Sequence, residues 1–124
     1  MRATSTYQVS FAPPKPPPRI ELQGRVQRVT RLLALAHRID ALIAVGEITD
    51  WAEAARVCGL TRARMSHVAA LLLLAPWIQE QLLDLPPVTN GRDTVTERNL
   101  RRIVAAPAWD RQLALWRHLH REVA

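Results

Sequence analysis

Apolar residues recur at helical spacing along most of this chain. From about Gly24, the series Val26, Val29, Leu32, Leu33, Leu35, Ala36, Ile39, Leu42 and Ile43 follows i, i+3, i+4 spacing. That is the broad stripe of a core-facing amphipathic helix. The arginines of this stretch and His37 lie largely off the stripe. Gly46 marks the helix end, and Ile48 is expected to anchor the link that follows. Further on, Pro76 opens the short apolar segment WIQEQLLDL, at a first-turn position where proline's missing amide does no harm. Pro86, Pro87 and Asn90-Gly91 predict a loop. Thr94 or Thr96 then caps ERNLRRIVAA, and Pro107 opens AWDRQLALWRHLHREV. The pattern predicts an all-α fold, a compact bundle of about six helices over 25–45, 51–58, 62–74, 77–84, 96–105 and 108–121, with no core strand.

The first 23 residues break this pattern. PPKPPPR, residues 13–19, cannot be helical, because each proline lacks an amide donor and restricts its predecessor. Polyproline II is its expected local shape. Tyr7, Val9 and Phe11 alternate with other residues as a faint strand signal. The expectation is a flexible proline-rich arm, 1–23, ahead of one domain, 24–124, the size of a single hydrophobic core.

The segment DWAEAARVCGLTRARMSHVAALLLL, Asp50 to Leu74, holds the most functional information. Asp50 is a good N-cap for a helix from Trp51 to Cys58. Gly59 sits where that helix ends in a left-handed turn, which a residue without Cβ enters cheaply. Leu60 can drop into the core, and Thr61 caps a second helix from Arg62. Ala55, Leu60, Met65 and Val68 stand where two crossed helices must touch, and Cys58 is expected to be buried there too. Ala63, Ser66, His67 and Ala70 then face away. This is a helix-turn-helix pattern, whose second helix enters the DNA major groove. A glycine corner between two amphipathic helices often serves packing alone. The basic TRAR opening and the short outward side chains are what favour DNA here. The base-contacting set is therefore Thr61, Arg62, Ala63, Arg64, Ser66 and His67.

Charge sharpens the picture. The 17 basic residues, all arginine except Lys15, outnumber 11 acids and give a net charge of +6. Guanidinium forks suit phosphates and guanine edges, although a GC-rich genome also enriches arginine. By segment, residues 25–45 carry +3, 46–60 carry −2 and 61–75 carry +2. The first corner helix is thus acidic, whereas the second and the long helix before it are basic. Arg19, Arg25, Arg28 and Arg31 are assigned to phosphate contacts, which attach a protein to DNA without choosing bases.

Catalytic readings find little to stand on. Ser66 and His67 are neighbours on a helix and point about a hundred degrees apart. His118 and His120 fall on different sides of the last helix, and neither HExxH nor paired cysteines occur. No enzymatic activity, metal or cofactor is expected. The longest apolar run, Val68 to Pro76, is too short to cross a bilayer, and the polar, proline-rich N-terminus predicts no signal peptide. A cytoplasmic, nucleoid-associated protein is the expectation. Trp109, Leu113, Leu115, Trp116 and Leu119 either cover the core or offer a partner surface, and tryptophan favours the second.

The string GLTRARMSHVAALLLLAPWIQEQLL resembles the helix-turn-helix segment of ParB/KorB-type DNA-binding proteins. In both, an S/T-R element opens the reading helix, and a leucine run leads to L-x-P and a short helix. The span from Arg25 to about His118 is similar to a group of small proteins encoded beside serine site-specific recombinases in mobile elements. RVTRLLALA, LTRAR, LAPWIQE and GRDTVTERNLR carry that resemblance. It implies a sequence-specific double-stranded DNA-binding protein acting as regulator or accessory factor, with a homodimer and a serine recombinase as partners. It also implies that Thr61 caps the reading helix, Arg62 and Arg64 stand at its entrance, and Ser66 and His67 lie on its exposed face. The nucleotide-binding clamp of ParB partition proteins finds no counterpart: their arginine-rich motif and a GxxxxGK[ST] loop are both missing from these residues. The remaining alternative is an interaction adaptor that uses the Trp-rich C-terminal helix.

Overall fold

A computed structural model describes residues 24–123, and these form an all-α fold. The helices are α1 (Arg28–Ala44), α2 (Trp51–Cys58), α3 (Arg62–Ala70), α4 (Pro76–Leu83), α5 (Glu97–Val104) and α6 (Trp109–Val123), with a 3₁₀ turn at Leu71–Leu73. The proline-rich arm expected over 1–23 lies outside the described residues, and so does Arg19. Among the described residues no helix is long and apolar enough to cross a membrane.

The apolar stripe of α1 serves two cores in succession. Val29 and Leu33 join Leu74, Ile78, Leu82, Leu100, Ile103 and Trp116 in the larger one. Ala36 and Ile39 join Ala54, Ala55, Met65 and Val68 in the smaller one, beneath the corner. Leu32 and Leu72 touch both, so the corner is tied to the rest of the bundle through apolar contact. Trp116 is fully buried and donates its indole N–H to Gln81 at 2.5 Å, which resolves most of the apolar surface of α6 as core covering. Trp109 is the exception and stays exposed.

Two helix boundaries differ from expectation. Although it is predicted from residue 25, α1 starts at Arg28, because the chain before it is extended and pairs with the loop after α4. Arg25 and Val88 exchange backbone hydrogen bonds of 3.0 and 2.9 Å. Gly24 lies against that loop with φ +105°, and a Cβ there would stand 2.7 Å from the Val88 carbonyl oxygen, so only glycine fits. The reading helix is the second case, ending at Ala70 rather than Leu74. Pro76 pushes Ala75 out of the helical region, and Leu74 is already extended, with ψ 148°. The carbonyls released there are caught by side chains. Gln79 Nε2 donates to Leu72 O at 3.1 Å and Leu74 O at 2.9 Å, and the buried Gln112 accepts from Ala75 N at 2.7 Å. The other boundaries fall within a residue or two of those expected.

A second buried amide, Gln27, organises the opposite end. Its Nε2 donates to Pro86 O at 3.1 Å. Its Oε1 accepts from Thr94 N and Oγ1, both at 3.1 Å, and from Val95 N at 3.4 Å. Thr94 is therefore engaged with α1, and Thr96 alone caps α5, in a reciprocal box with Asn99. Gln27 thus fixes the loop from which α5 starts.

Candidate nucleic-acid interface

The corner is built by local hydrogen bonds that its sequence dictates. Asp50 Oδ1 accepts from Glu53 N at 2.8 Å and caps α2. At the other end Gly59 adopts φ +68°. Gly59 N reaches Arg56 O at 3.2 Å and Leu60 N reaches Ala55 O at 2.9 Å, the paired bonds of a glycine-closed helix end. Leu60 is thereby carried back onto the smaller core. Thr61 Oγ1 accepts from Arg64 N at 3.1 Å and starts α3 two residues after the glycine.

Because α2 is only eight residues long, its buried face ends at Ala54 and Ala55. Cys58 consequently faces solvent rather than the core, and Leu60 takes the place expected for it. Ala55, Met65 and Val68 are buried as the crossed-helix pattern requires.

On α3 the outward residues are Arg62, Ala63, Ser66 and His67, all exposed, together with the cap Thr61. Ser66 Oγ donates to Arg62 O at 2.9 Å, which uses its proton and leaves the oxygen to act as an acceptor. Ala70 is half-buried rather than outward. Arg64 also departs from its expected place. It is half-buried, and both Nη atoms of its guanidinium contact the Glu97 carboxylate, one of them at 3.1 Å. This pairing raises the Arg64 pKa, and the same bonds hold Glu97 below the usual carboxylate range against the opposing effect of burial.

Two of the arginines assigned to phosphate are also engaged. Arg28 Nε lies 3.2 Å from Glu97. Arg25 is ion-paired with Asp93 and donates to Gly91 O at 3.0 Å. Asp93 accepts in addition from the Arg28 backbone N–H at 3.0 Å; that bond, with help from Arg25, lowers its pKa. Arg31 is exposed on α1.

A further basic face lies on α5, outside the residues assigned to DNA from the sequence. Leu100 and Ile103 bury one face of this helix, whereas Arg98, Arg101 and Arg102 are exposed. Arg101 lines one shallow cavity of about 310 Å³ with His67, so this cation of α5 borders the outward face of α3. Alternation of apolar and arginine positions in ERNLRRIV was a legible sign of such a face. Its adjacency to α3 was not, because the two helices are distant in sequence.

A convex helix with short polar and cationic side chains, bordered by further arginines, can enter a groove and hold phosphates on its flank. Among the described residues no group of three or more His, Cys, Asp or Glu is placed to hold a metal ion. The chain matches no protein-family model, no curated protein and no solved structure.

Proposed function

We propose that this protein binds double-stranded DNA and reads the major groove with α3. One observation carries the reading. Behind a glycine-closed turn and a threonine cap, α3 buries Met65 and Val68 and leaves Arg62, Ala63, Ser66 and His67 uncovered. These side chains are short enough for close approach, or can donate to and accept from base edges. Arg31, Arg98, Arg101 and Arg102 are exposed and supply phosphate contacts. Arg62 and His67 are assigned to bases, with Ser66 as the acceptor between them.

The resemblance to proteins encoded beside serine recombinases extends the proposal to biology. The protein then acts at the nucleoid as a regulator or accessory factor of a mobile element, as a homodimer, with a serine recombinase as partner. A gel-shift titration of random-sequence duplex at two salt concentrations tests the binding itself. Affinity falling steeply with salt supports it, because each neutralised phosphate contributes about −0.9 to the slope of log K against log salt. The absence of a shift at low salt removes it.

A second reading, an adaptor that binds proteins and no specific DNA, draws on a different surface. Trp109 is 56% exposed and Trp77 43%, and an open groove of about 930 Å³ between α4 and α6 is lined by Trp77, Trp116 and Arg117. Its test is light scattering of the wild type and of Trp77→Ser/Trp109→Ser. Assembly dispersed by the double substitution, with no duplex binding in either protein, favours the adaptor.

A further inference from the structure

Glu97 is an acid set among the cations of the proposed DNA-binding face. It is fixed in place as the first residue of α5, where the helix dipole favours an acid and the Thr96–Asn99 box orders the turn. Its carboxylate contacts both Nη atoms of Arg64 and, at 3.2 Å, the Nε of Arg28. Arg101 adds a further favourable charge. The side chains of Glu97 and Arg64 are only 22% and 23% exposed, so their pairing is shielded from water. A carboxylate and a phosphate present the same fork of two oxygens to a guanidinium edge, and one edge holds one fork at a time. That edge of Arg64 therefore reaches a DNA phosphate only by releasing Glu97, and the Glu97 charge repels a phosphate that approaches the other edge.

We propose that Glu97 is an intramolecular competitor of DNA phosphate. It holds Arg64, and more loosely Arg28, away from the backbone. Non-specific attachment is thereby suppressed, and the base-facing residues of α3 decide where the protein stays bound. The inference rests on the DNA-binding reading of α3 and adds to it a residue that sets how tightly the protein holds any phosphate backbone. Because non-specific binding scales with the number of phosphates neutralised, withholding two arginines lowers it for every sequence alike.

The test compares full-length wild type, Glu97→Gln, Arg64→Gln and the double variant on a random-sequence duplex across a salt series. Melting by circular dichroism accompanies each protein. Gln at position 97 keeps the size and an acceptor oxygen but loses the charge. Glu97→Gln should bind random duplex about three- to tenfold tighter and steepen the salt slope by about one to two units. The double variant should lose most of that gain, since it passes through Arg64. A Glu97→Gln protein that binds no tighter, at unchanged slope, overturns the proposal. So does an equal gain in the Arg64→Gln background, which would reduce Glu97 to a general field effect. If Glu97→Gln fails to fold, Arg64→Lys serves in its place, because an ammonium cannot fill the bidentate fork. A smaller gain of the same sign is then expected, and no gain overturns the proposal. Wild type that binds duplex while the variants behave alike sinks the competitor alone. Failure of every protein to bind sinks the DNA reading with it.

Discussion

Replacing Gln27 with Met keeps the length and approximate volume of a fully buried side chain and deletes its amide. Four hydrogen bonds disappear, to Pro86 O, Thr94 N, Thr94 Oγ1 and Val95 N. They do not weigh equally. Pro86 and Thr94 are exposed residues whose polar groups can turn to water, so each loses only a net bond of about 0.5–1.5 kcal/mol. Val95 is 2% exposed, and its amide has no such recourse, which adds about 1–3 kcal/mol for an orphaned donor. Burying the thioether returns part of this, and the sum comes to about 2–4 kcal/mol. For a domain of this size about 1 kcal/mol shifts Tm by about 4–8 °C, so a fall of about 8–32 °C is expected. Thermal and urea melts followed by circular dichroism measure it, and Gln27→Glu at neutral pH should be worse than Met, because it buries a charge and sets a carboxylate oxygen against the Pro86 carbonyl. A Gln27→Met protein as stable as the wild type would refute the reasoning, showing that the loops meet α1 by packing alone.

Arg62→Ala should weaken binding to a selected duplex by about 1–3 kcal/mol and to random duplex by less; equal losses on the two would make Arg62 a phosphate contact instead. Acid should destabilise the fold through Asp93 and Glu97. Both have folded pKa values below their unfolded ones, so the stability they contribute is complete above the ordinary carboxylate range. It is lost as pH falls through that range toward the lowered folded values. Asp93→Asn and Glu97→Gln should therefore be less stable than wild type at pH 7 and lose less on acidification, in chemical melts at neutral and acidic pH. Parallel losses in all three proteins would assign the acid sensitivity to other groups.

The corner was legible because its signals are local. Asp50, Gly59 and Thr61 each act on backbone atoms within four residues, and the alternation of Met65 and Val68 with Ser66 and His67 states which face is buried. What escaped depends on partners far along the chain. Counting charge in sequence windows left Arg64 with no acid nearby, yet Glu97, 33 positions on, meets it in space. Nothing in the sequence marks Gln27 or Gln112 as buried, since glutamine is usually exposed and both owe their place to carbonyls and amides of distant loops. The end of α3 departs from its periodicity for a subtler reason. The leucine run continues the helical period past Ala70, but Pro76 acts back on Ala75, and the side chains of Gln79 and Gln112 satisfy the backbone where the helix stops. Helical spacing alone continues the buried stripe of α2 from Ala55 to Cys58, but the turn at Gly59 transfers that place to Leu60.

The central claim, that α3 occupies the major groove, is tested most directly by methylation interference on a duplex selected from a random pool by the full-length protein. Guanine N7 lies in the major groove, whereas adenine N3 lies in the minor groove. Methylation of N7 at one or more guanines should block binding, and at least one such position should become insensitive in Arg62→Ala. Interference confined to adenine N3, or a selection that enriches no sequence, would contradict the account.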